Sequence, residues 1–203
     1  MFPNQLRRFL AIVVVAAAFV SPRVRADAGA SRRDADLLKQ KVATITQLGI
    51  KPAKQLRRTT VTEREVNAYL TLDAHNDLPT GVVQPSVSIL GPGRLFGRAV
   101  VDLDAVRKQS PPSGLLDPKN LLMGRLPITA TGTLKTSNGT GRFELEAATV
   151  GGVPIPKLLL QEIVSYYSRT PQKPSGINLD DPFALPAGIR EIQVDRGQAI
   201  VVQ

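Results

Sequence analysis

The segment from Ile128 to Val150 limits the possible folds of this chain more than any other stretch. Ile128, Ala130, Gly132 and Leu134 alternate with Thr129, Thr131, Thr133 and Lys135, and beyond Asn138-Gly139 the residues Phe143, Leu145 and Ala147 alternate with Glu144 and Glu146. A period of two sends one set of side chains to a buried face and the other to water. Asn-Gly, which tolerates positive φ at both central positions, closes such a pair through a type I′ turn. A two-stranded hairpin is marginal by itself, so this one needs further strands or a helix over its apolar face.

The chain supplies both. Val83, Pro85, Val87 and Ile89 alternate with Gln84, Ser86 and Ser88 before the turn Gly91-Pro92-Gly93. Leu95, Gly97, Ala99, Val101 and Leu103 then share one strand face, opposite Arg98, Asp102 and Asp104. Ile189 to Val194 and Ala199 to Val202 flank Asp195-Arg196-Gly197-Gln198 as a closing hairpin.

Three stretches have the helical period instead. In Ser31 to Leu48, Leu37, Leu38, Val42, Ile45 and Leu48 form an apolar stripe that Gly49 ends. Thr62 and Glu65 have the spacing of a capping box, which starts a second helix running to about Leu72, with Val66, Tyr69 and Leu70 on its apolar face and Asn67 beside them. Gly151-Gly152-Val153-Pro154-Ile155-Pro156 leads into a third helix from about Lys157 to Arg169, on which Leu160, Ile163, Val164 and Tyr167 align and Leu158 and Leu159 widen the stripe. The expected fold class is α+β: a curved antiparallel β-sheet wrapped around an apolar helix, with N-terminal helices in front.

The first 28 residues stand apart. Arg7 and Arg8 precede the unbroken apolar run Phe9 to Val20, followed by Ser21-Pro22 and the small-residue exit Ala26-Asp27-Ala28. This is the three-part pattern of an export signal. The apolar run is shorter than the roughly 20 residues of a spanning helix, which favours a cleaved signal over a retained anchor. The mature chain then starts near Gly29, with Val24-Arg25-Ala26 as the competing cleavage site. One domain over residues 29–203 is expected, its N-terminal helix at about 31–48 and its sheet and helix at about 60–203. The location is exported: periplasmic, or secreted where the cell has no outer membrane.

Losing residues 1–28 removes four arginines and one aspartate and takes the formal charge from +9 to +6. Outside the cytosol the partner of such a charge is an anionic membrane or another acidic envelope surface, not nucleic acid; otherwise the charge serves solubility alone. The absence of cysteine excludes a disulfide framework, a thiolate metal site and a lipid-modified N-terminal cysteine. With no tryptophan and 4% aromatics, the core is aliphatic and aromatic stacking platforms are not expected.

Catalytic patterns are missing too. His75 is the one histidine, and its neighbours Asp73 and Asp77 read as a helix end and turn before Leu78-Pro79 more simply than as metal ligands. No Gly-x-Ser-x-Gly elbow occurs. The carboxylate pairs Asp102/Asp104 and Asp180/Asp181 fall where alternation or a loop already explains them. A non-enzymatic protein without a cofactor or metal is expected.

Gln109 to Arg125 fits neither period. After Ser110-Pro111-Pro112-Ser113-Gly114 come Leu115, Leu116, Leu121, Leu122 and Met123, an apolar content unusual for a loop. The segment is either a short helix closing one end of the core or a lid or membrane-dipping loop.

The helix Thr62 to Leu70 (Thr-x-x-Glu-Val-Asn-Ala-Tyr-Leu), the passage Gly151 to Leu160 and the threonine-rich hairpin between them make residues 60–203 resemble bacterial members of the tubular lipid-binding (TULIP-like) superfamily. The resemblance implies a sheet curved around a helix and a groove for a lipid or other long apolar molecule. Leu159, Leu160, Ile163 and Tyr167 would line that groove, with Leu115, Leu116, Leu121, Leu122 and Met123 at its mouth, unless all of them fill a dry core. The rival expectation is a structural or assembly protein of the envelope that binds another protein through a sheet edge or the leucine-rich loop.

Overall fold

The computed structural model describes residues 31–50, 55–109, 123–167, 169 and 174–203; the export segment lies outside them. In chain order the elements are α1 (Arg32–Ile50), β1 (Arg58–Thr62), α2 (Glu63–Leu72), a single 3-10 turn (Ala74–Asn76), β2 (Val82–Gly91), β3 (Arg94–Asp102) and α3 (Leu103–Gln109). Next come β4 (Arg125–Ser137), β5 (Thr140–Val150), β6 (Val153–Pro154), α4 (Lys157–Tyr167), β7 (Phe183–Ala184), β8 (Glu191–Asp195) and β9 (Gln198–Val202). The fold is α+β with antiparallel sheets: a larger one in the order β2-β3-β4-β5-β6, with β7 also on β5, and a three-stranded one in the order β1-β9-β8.

The β4–β5 hairpin forms as its sequence dictates, with φ of +48° at Asn138 and +77° at Gly139. Its alternation does not run to the end. Thr131 pairs with Ala147 and Gly132 with Leu145, so Glu146 is an extra residue in β5. This bulge reverses the parity of the rest of the strand: Ala147, expected on the apolar face, is exposed, and Ala148 is buried opposite Ala130. β3 also ends earlier than expected. Asp104 lies in α3 rather than on a wet strand face, and the Asp102 carboxylate accepts the Ala105 N–H at 3.0 Å, as a helix-capping residue does.

The main core is filled from the N-terminal helices. Leu38 of α1 and Tyr69 and Leu70 of α2 pack with Val87, Ile89, Leu95, Leu134 and Phe143 of the larger sheet and Val194 of β8. α2 is fixed at its start by the capping box: the Glu65 N–H donates to Thr62 Oγ1 at 3.3 Å and the Thr62 N–H to Glu65 Oε2 at 2.9 Å. Lys41 Nζ on α1 reaches both oxygens of the buried Glu65, at 2.6 and 2.8 Å. α1 continues through Gly49, which the sequence marks as its end. A Cβ there would lie 2.5 Å from Ala187 Cα, so the glycine serves close packing of helix against turn.

Three polar side chains complete the sheets. Asn67 on α2 donates to the Val87 carbonyl at 2.7 Å and accepts its N–H at 2.8 Å, and Glu63, one turn earlier, accepts the Ile89 N–H at 2.6 Å. They occupy the edge of β2 that would otherwise invite another strand. At the hairpin ends of the larger sheet, Thr136 Oγ1 accepts the Ile192 N–H at 2.8 Å and donates to its carbonyl at 3.0 Å. There Gly93 N–H donates to Val194 and Gly139 N–H to Arg190, so β8 lies across both turns.

Candidate functional site

The end of the larger sheet away from those turns is where the apolar stretches of the sequence come to the surface. Ile128 pairs with Val150 and Val150 with Val153, which brings the start of β4, the end of β5 and β6 together. Glycines at 151 and 152 make the reversal with φ of +61° and +83°, a conformation other residues resist. The Gly151 N–H donates to the Pro127 carbonyl at 2.8 Å and the Ile155 N–H to Ala148 at 2.9 Å, which delivers the chain to the first turn of α4 beside the strand ends.

Leu160 packs against Ala130 and Ala148, two small residues that leave room for it on the sheet, and Leu145 joins this cluster to the main core. At this end of the sheet Met123, Val153, Leu158 and Leu159 are 64%, 65%, 76% and 52% exposed. These fractions decide how α4 is used: one leucine anchors the helix while its two neighbours stand in solvent, although the sequence groups all three on one widened stripe. Gln161 fastens the other side, its amide donating to the Ile177 carbonyl at 3.0 Å and accepting the Leu179 N–H at 2.7 Å.

No family model, curated protein or solved structure matches this chain.

Of the residues expected to line a groove, Met123, Leu159 and Leu160 lie toward the same end of the sheet. Ile163 and Tyr167 are also on α4, with side chains outside the described residues, and Leu115, Leu116, Leu121 and Leu122 lie outside them altogether. Val153 and Leu158 are additions to the expected lining. The one sequence signal for Val153 is its place between a Gly-Gly turn and two prolines, where neither a strand nor a helix buries it.

Asp73, Asp77, Asp102 and Glu146 are accounted for by structure. Asp73, at the end of α2, is held below the usual carboxylate range by hydrogen bonds from Arg32 and then Lys39, the Arg32 contact at 2.7 Å. Asp77 accepts the Tyr69 hydroxyl at 2.6 Å, and His75 is exposed between the two aspartates. The Asp102 carboxylate is lowered first by the Ala105 N–H and then by Arg125. On the wet face of the sheet Glu146 is lowered by Thr133, at 2.6 Å, and then by Arg94, at 2.9 Å. Among the described residues no group of three or more His, Cys, Asp or Glu comes together as a metal site. Nor is any described helix long and apolar enough to cross a membrane.

Proposed function

We propose that this protein is a non-enzymatic, exported envelope protein that binds a lipid or other long apolar ligand at the α4 end of its larger sheet. The observation that supports this reading is the exposure of Met123, Val153, Leu158 and Leu159 at the end of the sheet where Leu160 anchors α4. Large exposed apolar side chains grouped at one end of a fold mark a surface that a ligand or partner covers. The finer part of the proposal is that the sheet curves around α4 and leaves a groove there, lined by Leu159, Leu160, Ile163 and Tyr167. Leu115, Leu116, Leu121 and Leu122 would stand with Met123 at its mouth. Aliphatic linings suffice for such a ligand: burying about 16 methylenes at ~0.8 kcal/mol each gains on the order of 13 kcal/mol before ordering costs.

A second reading draws on Leu158, whose 76% exposure suits a flat patch as well as a groove. In that reading the patch binds another envelope protein and the chain is a structural or assembly factor. Native mass spectrometry and lipid extraction of protein purified from envelope without detergent separates the two. The ligand reading expects co-purified lipid and uptake of a fluorescent fatty acid or phospholipid. The absence of both co-purified lipid and uptake would sink it.

A further inference from the structure

Among the described residues, the two remaining large exposed apolar side chains lie at the other end of the larger sheet. Ile50 closes α1 at 74% exposure and Leu56 precedes β1 at 60%. The backbone brings them to one corner. Arg57 and Gln203 exchange both N–H···O bonds, at 2.9 Å each, Arg58 pairs with Val202, and the Arg190 N–H donates to Val202 from the opposite side at 2.8 Å. Adjacent strands are about 4.8 Å apart, so the backbones of Arg57, Arg58 and Arg190 sit within about 10 Å of one another. The end of α1 is tied to the same place, since Gln203 Nε2 donates to the carbonyls of Ile45 and Ala187, and Gly49 packs on Ala187.

All three arginines are exposed, and none forms an ion pair with a described residue. Glu191, next to Arg190, turns its carboxylate to Gln193, from which it accepts at 3.3 Å, and leaves the corner positive. Arg32, Arg64 and Arg94 are spent on partners, whereas Arg33, Arg98, Arg142 and Arg196 are exposed with no ion pair to a described residue; the corner differs from these in joining three such arginines to two exposed apolar side chains.

We infer that this corner docks on the surface of an anionic lipid bilayer, with Ile50 and Leu56 entering the headgroup region and Arg57, Arg58 and Arg190 binding lipid phosphates. Guanidinium groups match phosphate oxygens in pairs, and a modest apolar insertion combined with several cations is what holds a folded protein at an anionic interface. A soluble polyanion would leave the two apolar tips unexplained, and an acidic protein partner is the outcome in which position 56 responds to no vesicle. The corner adjoins the turn of the β4–β5 hairpin, through the Gly139 N–H on Arg190. β4 has 13 residues, and at ~3.4 Å each it spans roughly 40 Å. Docking by the corner therefore leaves the α4 end clear of the bilayer.

The lack of cysteine allows one probe to be placed at a chosen residue. In the full chain, Leu56→Cys carrying an environment-sensitive fluorophore should brighten and blue-shift with equimolar phosphatidylglycerol–phosphatidylcholine vesicles and not with phosphatidylcholine alone. The same probe at Ala147→Cys, exposed on β5 and outside both proposed surfaces, should not respond. Adding Arg57→Glu, Arg58→Glu and Arg190→Glu should raise the vesicle concentration needed by at least about a hundredfold, at roughly fivefold for each arginine charge lost before the repulsion of the added carboxylates. If the triple variant loses its fold by circular dichroism, suppression of the Leu56 response by high salt in the unsubstituted chain takes its place. No response at position 56, an equal response to neutral vesicles, or indifference to both charge reversal and salt overturns the inference. Lipid co-purification and probe uptake at the α4 end stand or fall separately from this result.

Discussion

The side-chain amide of Asn67 makes with Val87 the same pair of hydrogen bonds, 2.7 and 2.8 Å long, that a neighbouring β-strand would make. A helix therefore terminates the larger sheet chemically as well as sterically. Val87 is 3% exposed, so without the amide its N–H and carbonyl are buried with no substitute. Asn67→Ala should lower stability by about 2–4 kcal/mol in a urea titration, from two unsatisfied buried groups at ~1–3 kcal/mol each. Asn67→Asp, which keeps the acceptor but not the donor, should fall between.

Glu65 serves two helices at once, capping α2 through Thr62 and receiving Lys41 from α1. Glu65→Ala should cost about 1–3 kcal/mol, a lost cap together with a half-buried cation left unpaired. Thr62→Ala, which removes one hydroxyl, should cost about 1 kcal/mol. Equal losses by thermal denaturation would show that Lys41 contributes nothing.

Gly132 lies beneath the ring of Phe143, and a Cβ there would collide with that ring and stand 2.6 Å from the Glu144 carbonyl oxygen. Gly132→Ala should destabilise by about 3 kcal/mol. Adding Phe143→Leu should recover part of the loss, since the ring can be removed but the backbone oxygen cannot. A double-mutant cycle measures that coupling.

Acid should unfold the protein through Asp73, Asp102 and Glu146, each held below its ordinary pKa in the fold. A carboxylate with a depressed folded pKa stabilises the native state above its unfolded value, near 3.8 for aspartate, and loses that contribution as pH falls through the folded pKa. Urea midpoints should thus be level from pH 7 to about 5 and fall below about pH 4. Asp73→Asn should flatten the acidic limb while lowering stability at pH 7.

Leu158 and Leu160 separate folding from binding on one helix turn. Leu158→Asp should leave the melting temperature within the range of a surface change, about 0.5 kcal/mol, yet reduce uptake of a fluorescent lipid. Leu160→Asp, which places a charge on Ala130 and Ala148, should destabilise by at least about 2 kcal/mol. Unchanged uptake in Leu158→Asp would remove this end of the sheet from consideration as a ligand site.

Local signals in the chain are reliable wherever a residue answers only to its neighbours. The Thr62–Glu65 box, the Asn138-Gly139 turn and the closing hairpin depend on backbone sterics and on hydrogen bonds spanning three residues, and all are where the sequence puts them. Strand parity is legible up to Glu146 and is lost there, because a bulge moves every later side chain to the other face without altering composition. β1 escapes because Thr59, Thr60 and Val61 have no alternating pattern long enough to announce a strand that exists by pairing with β9.

The α+β class, the antiparallel hairpins, the helix start at Thr62 and the aliphatic chemistry are written in the order of the residues, because each depends on short-range sterics or on the side chains present. Long-range packing alone determines that α1 and α2 fill the main core, that Asn67 and Thr136 stand in for missing strands, and that Leu158 and Leu159 face water while Leu160 does not. Those outcomes depend on which surfaces approach one another across tens of residues, and hydrophobic attraction, being without direction, does not say in advance which apolar stripe wins the sheet.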